Sequence, residues 1–224
     1  KDIPQGFFIQ DAAGDNNPLT SDGLFVLSKA NQVEIGDKVT VTGLVKNTFG
    51  WTQLKAGHTN IIASNQSILP VSLQQHPYDT DFSDTLERHE GMLVTIDVNT
   101  NMVVSRNFGY DRQARRNNMA VAHKTINLHA NQLHVPNSPS ALTQHQSNFS
   151  RHLVIESSSK ARSGQIPWYP TFANINNQGR THNYIRIGDG VNHLTGVIGY
   201  SHGQYRLIVT QNADVMSFSH NNPR

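Results

Sequence analysis

Short apolar runs separated by turn-forming residues recur along this chain. Gly6-Phe7-Phe8-Ile9-Gln10 and Gly23-Leu24-Phe25-Val26-Leu27 flank a polar loop, Asp11 to Asp22, rich in Asn, Asp, Gly and Pro. Runs of that length with such boundaries predict two strands and a long connection. In the next run, Val39, Val41 and Val45 fall on one face and Thr40, Thr42 and Leu44 on the other, as strand alternation requires. Glu90 to Val98 predicts a further strand, led in by Thr85-Leu86-Glu87-Arg88. Residues 99–183 are less regular: 135–150 read as a loop with one short helix, and 157–183 as an extended loop anchored by Trp168 and Tyr169 between prolines. Little helix is expected.

One pattern occurs twice. Ile35-Gly36-Asp37-Lys38-Val39, Thr42-Gly43-Leu44-Val45, Gly50 and Leu54 are matched by Ile187-Gly188-Asp189-Gly190-Val191, Thr195-Gly196-Val197-Ile198, Gly203 and Leu207. From the central glycine onward the copies are in register. A Gly-Asp turn launching a strand, a mid-strand glycine and a hairpin back form one physical unit, because glycine within a strand permits the sharp bend that closing a small barrel needs. Two copies predict two small barrels; chance similarity between two hairpins is the alternative. The expected fold is mainly β, two OB-like small barrels with long polar loops. Residues 1–76 would form the first, 77–84 a linker, 85–218 the second, and 219–224 a junction.

Composition narrows the chemistry. At 224 residues the chain suffices for one large or two small domains. Without cysteine there are no disulfides, thiolate metal sites or cysteine nucleophiles. No apolar run is long enough to span a bilayer, so no membrane insertion is expected. The chain opens on Lys1-Asp2-Ile3-Pro4, neither a methionine nor a signal peptide, and so reads as a processed segment. A net charge of +2 permits phosphate contact without demanding it, and local clustering therefore decides.

The densest basic cluster is Arg106, Arg112, Arg115 and Arg116, interleaved with Phe108 and Tyr110 and containing one acid, Asp111. Guanidinium groups beside flat rings suit backbone binding with base stacking; a solvated basic loop is the plain alternative. Tyr205 and Arg206 would extend that surface, and Trp51, in a hairpin beside Gly50, offers another stacking ring. For Phe8 and Phe25, on the face opposite Phe7, core packing is the default. Asp11, Asp15, Asn17 and Asp22 place hard oxygen ligands of the kind Ca²⁺ prefers in one loop, although ordinary Asx turns explain the same residues. His123, His129, His134, His145 and His152 follow no compact metal-ligand spacing and read as exposed polar positions. Nor is there a Gly-x-Ser-x-Gly elbow.

These residues resemble the region preceding the catalytic domain in ExeM/NucH-type extracellular nucleases, with an OB-fold related to that of YhcR-type sugar-nonspecific nucleases. The resemblance rests on Gly6-Phe7-Phe8-Ile9-Gln10-Asp11, Gly14-Asp15-Asn16-Asn17-Pro18 with Thr20-Ser21-Asp22-Gly23, and Leu24-Phe25-Val26. It continues through Ile35-Gly36-Asp37 to Gly43, Thr52-Gln53-Leu54, Leu86-Glu87-Arg88-His89-Glu90-Gly91-Met92-Leu93-Val94-Thr95, and the second repeat to Tyr205-Arg206-Leu207. It implies a secreted bacterial parent whose catalytic domain, using a divalent metal such as Mg or Mn, would follow Asn222-Pro223-Arg224. The family's opening barrel strand would precede the Gly6 block. Gly14-Asp15-Asn16-Asn17 superficially matches the Gly-Asp-x-Asn signature of that catalytic domain, but Ser21-Asp22 is followed by Gly23 where the signature needs His. The implied role is non-catalytic handling of DNA or RNA without sequence preference. The alternatives are a structural spacer or protein-interaction module of the same nuclease, and a self-contained hydrolase with an unfamiliar site.

Overall fold

A computed structural model of the chain describes residues 6–28, 33–112, 115–157, 185–210 and, for the backbone alone, 217–219. It is mainly β. The first four strands, β1 (Gly6–Gln10), β2 (Gly23–Leu27), β3 (Lys38–Thr48) and β4 (Trp51–Ala63), form a curled sheet in the order β1-β2-β4-β3. The remaining strands are β5 (Val71–Ser72), β6 (Leu93–Ile96), β7 (Met102–Asp111), β8 (Arg116–His123), β9 (His152–Ser157), β10 (Gly190–Asn192), β11 (Leu194–Ser201), β12 (Gln204–Val209) and β13 (Ser217–Ser219). They form a second sheet in the order β13-β10-β7-β8-β9-β12-β11-β6-β5.

That second order closes on itself. β6 and β7 are two halves of one strand, interrupted by a 3-10 turn at Val98–Thr100 and a left-handed Asn101; β10 and β11 are likewise broken at left-handed His193. β6 pairs with β11 and β7 with β10, so the two ends of the order are joined through the chain itself. With β8-β9 antiparallel, β9-β12 parallel and β12-β11 antiparallel, this is a five-stranded Greek-key barrel of the OB type. Its interior is the main core: Met119, Ile155, Leu207 and Ile198, one residue from each of four adjacent strands, are completely buried in one row.

The first sheet repeats four of those five strands. β1-β2 is antiparallel, β2-β4 parallel and β4-β3 antiparallel, the sequence of pairings found in β8-β9-β12-β11. The registers correspond as well. Leu54 pairs with Val26 and Val45, as Leu207 pairs with Ile155 and Ile198. The repeat seen in the sequence is thus a structural unit. Its Gly-Asp turns have the same cause: Asp37 accepts the Glu34 amide at 2.9 Å, and Asp189 accepts the Arg186 amide at 2.8 Å. The mid-strand glycines also match. A Cβ on Gly43 would run into the Lys55 carbonyl, and one on Gly196 would lie 2.6 Å from the equivalent Ile208 carbonyl. Among the described residues the first sheet has no counterpart of β6-β7, and Val45 is left 70 % exposed where its counterpart Ile198 is sealed.

Two expectations change. The boundary between the units lies before Val71, because β5 pairs with β6 and Leu73 is completely buried in the second core. Residues 77–84 run into helix α1 (Phe82–Glu87), capped by Asp81 and anchored in that core by Phe82 and Leu86, and are not a linker. Within 135–150, read as a loop with one short helix, stands the twelve-residue helix α3 (Pro139–Ser150), and a further turn of helix, α2 (Ala130–Leu133), precedes it.

Candidate nucleic-acid interface

The basic cluster lies on a β-hairpin, not in a loop. Arg106, Phe108 and Tyr110 are on β7, Arg112 and Arg115 border its turn, and Arg116 opens β8. Tyr110 stands across from Asn117, and Asp111 from Arg116. Phe108 and Tyr110 are 53 % and 46 % exposed, and Arg112 and Arg115 are exposed beside them. Two register shifts along β7, on either side of Arg106, increase local twist and re-aim the side chains beyond them. Arg106 donates to Asn118 Oδ1 at 2.6 Å. Burial, then the Arg206 guanidinium, pulls the Arg106 pKa below its ordinary value. The structure therefore brings six of the nine expected contact residues onto one projecting element.

The other three are committed elsewhere. Arg206 donates to Glu156 at 2.8 Å in an ion pair whose side chains are only 12 % and 6 % exposed. Turning that arginine to a phosphate would strand the buried carboxylate, so Arg206 serves the barrel wall. Tyr205 donates to Glu87 and packs edge-on to Tyr200; burial first, then Glu87, pushes its hydroxyl pKa well up. Trp51 stacks on Phe25 at 4.5 Å, within a trio completed by Phe8, instead of offering a ring to a base.

That trio belongs to a seam between the curled first sheet and the barrel, for which no pattern in the chain is a signal. Phe8, Phe25, Gln53 and Trp51 share the outer face of the first sheet, and Phe8 lies against Gly199 of β11. Across the seam Ser21 Oγ donates to the Glu90 carbonyl at 2.5 Å, the Leu93 amide to Gln10 Oε1 at 2.8 Å, and the Thr52 amide to Glu90 Oε1 at 3.3 Å. Glu90 Oε2 and Trp51 Nε1 are buried there without a hydrogen-bond partner. Burial, reinforced by the neighbouring Glu87 carboxylate, raises the Glu90 pKa to about 7.

In the Asp11–Asp22 loop each of the four side chains accepts a hydrogen bond from within the loop. Asp11 accepts the Ala13 amide, Asp15 the Asn17 amide and the Thr20 hydroxyl, Asn17 the Leu19 amide, and Asp22 the Asp15 amide. The Asn17 amide is the main reason the Asp15 pKa is lowered. This is the Asx-turn chemistry that stood as the alternative to a Ca²⁺ site at Asp11, Asp15, Asn17 and Asp22. Among the described residues no three acidic or imidazole groups converge on one point.

The histidines divide. His129 and His145 are exposed as expected, whereas His123 is buried in a 4.3 Å stack with Phe82. Burial lowers the His123 pKa to about 4; burial followed by Arg106 and Arg206 does the same to His152, so both rings are neutral at pH 7. Trp168 and Tyr169 lie outside the described residues. Among those residues, no helix is long and apolar enough to cross a membrane. With this geometry in hand, comparison with family models, curated proteins and solved structures gives no match for the chain.

Proposed function

We propose that this chain is the substrate-holding, non-catalytic part of a secreted nuclease, which grips DNA or RNA by its backbone for a metal-dependent catalytic domain carried elsewhere in the parent protein. One observation carries the reading: exposed Arg112 and Arg115 and half-buried Arg116 lie on the same hairpin as the exposed rings of Phe108 and Tyr110. Arginines neutralise phosphates and release their counterions, while rings stack on bases of any sequence.

The test is binding of a single-stranded oligonucleotide at low and moderate salt. Changing Arg112, Arg115 and Arg116 together to alanine is expected to weaken binding at least tenfold at low salt. The slope of log affinity against log salt should become shallower by about 2, since each lost contact on a single strand removes roughly 0.7. Unchanged affinity and slope would favour the spacer reading, in which the barrels position the nuclease without touching its substrate. In a plasmid assay supplemented with Mg²⁺, Mn²⁺ or Ca²⁺, this chain is expected to leave the DNA intact; cleavage would favour a self-contained hydrolase.

A further inference from the structure

Both long hairpins of the repeat end in the same two-residue turn. Thr48 pairs with Trp51 around Phe49-Gly50, and Ser201 with Gln204 around His202-Gly203. Their φ values are +54 and +87° in the first and +54 and +73° in the second, the signature of a type I′ turn. The first position of such a turn is ordinarily Asn, Asp or Gly, since larger side chains resist a left-handed backbone. Here it holds a flat ring twice.

Neither ring earns its place by packing. Phe49 is 94 % exposed, and His202 is exposed as well. Water disfavours an exposed phenyl ring and the backbone disfavours any bulky residue there, so folding selects against Phe49 on both counts. The first tip also lies against the second hairpin: a Cβ on Gly50 would be 3.1 Å from the ring of Tyr200, two residues before His202. Each ring has polar neighbours, Asn47 and Thr48 at one tip and Ser201 and Gln204 at the other, with exposed Lys46 and Lys55 on the arms of the first and exposed Leu44 and Val45 further from the tip. Single rings among polar groups and cations suit unpaired bases on a phosphate chain better than a lipid surface, which rewards a continuous apolar cluster.

We propose that Phe49 and His202 are stacking residues for unpaired bases of a single-stranded nucleic acid, at a locus distinct from the arginine hairpin. The two loci lie at opposite ends of the second barrel: β12 runs away from the His202 tip parallel to β9, and β8 runs away from the arginine turn antiparallel to β9. The inference rests on the nucleic-acid reading given above.

The decisive variants are Phe49→Asn and His202→Asn, which supply the residue the turn prefers. Unfolding temperature and affinity are measured for an oligo-dT and for an abasic oligonucleotide of equal length. The wild type should prefer the base-bearing strand by about tenfold, and Phe49→Asn should cut that preference to about threefold, the remainder resting on His202, Phe108 and Tyr110, while unfolding no earlier than wild type. Its salt slope should stay unchanged, in contrast to the arginine triple variant. Equal wild-type binding of both strands would overturn the inference while leaving backbone gripping intact. Earlier unfolding of Phe49→Asn would make the ring structural, and binding to phosphatidylglycerol vesicles that is lost in Phe49→Asn would make the tip a membrane contact. Failure of the wild type to bind either strand would remove both readings.

Discussion

Gly23→Ala is expected to lower the unfolding temperature by roughly 6–12 °C, equivalent to about 3 kcal/mol for a protein of this size. At this point the curled first sheet and the barrel touch backbone to backbone. A Cβ on Gly23 would sit 2.6 Å from the Gly91 carbonyl oxygen and closer still to the Gly91 carbon and the Met92 nitrogen. Those atoms cannot retreat. The Gly91 amide donates to the Ile198 carbonyl at 2.7 Å, and the Ile198 amide to the Met92 carbonyl at 3.1 Å, tying the segment to β11. Gly91 could not take a side chain in compensation, having φ +83° and the Leu24 amide nitrogen 2.6 Å from where its Cβ would be. Gly57→Ala is the control. Its Cβ would meet only the Thr42 carbonyl, at 3.4 Å, and it should change stability by less than about 1 kcal/mol. Equal unfolding temperatures for Gly23→Ala and wild type would mean that the sheet and the barrel are not docked through this crossing.

The repeat was legible because its cause is local. Asp37 and Asp189 each cap an amide three residues back, and Gly43 and Gly196 each lie under a neighbouring carbonyl, so the residue types follow from geometry within one hairpin. Helix α3 was read only as one short helix in a loop, for the opposite reason. Ser138 caps it and Pro139 begins it, as helix starts prefer, but Ala141 is its only buried residue. A helix polar on nearly every side carries no 3.6-residue apolar stripe to read. The contact surface was half legible. Alternation showed that Phe8 and Phe25 share a face, yet not that this outer face is covered by the barrel, which also claims Trp51. Arg206 looked available beside Tyr205 because its partner, Glu156, is fifty residues away in sequence and meets it only through the parallel pairing of β9 and β12. The Gly-Asp-x-Asn tetrapeptide at Gly14 is likewise explained by the Asx turns of its loop.

The covered face gives Glu90 its behaviour, and from it the second large effect. Glu90→Gln should stabilise the protein by about 2 kcal/mol at pH 8 and by almost nothing at pH 4.5, the shift of the buried carboxyl being discounted for solvent at the rim of the seam. The sign follows from proton binding. With its pKa raised from 4.5 to about 7, the folded protein holds this proton over a range in which the unfolded chain has released it. The favourable contribution of the neutral acid is complete below pH 4.5 and is lost as pH rises to about 7; above that the burial of an ionised group costs a constant amount. Glutamine keeps the oxygen that accepts the Thr52 amide and replaces the partnerless Oε2 with a neutral group. Thermal unfolding of both proteins from pH 4.5 to 8.5 should therefore give curves that meet at the acid end and separate by roughly 4–8 °C at the basic end. Parallel curves, or a variant less stable at every pH, would show that the Glu90 carboxylate is satisfied within the seam, and that ionising it does nothing to loosen the junction of the sheet and the barrel.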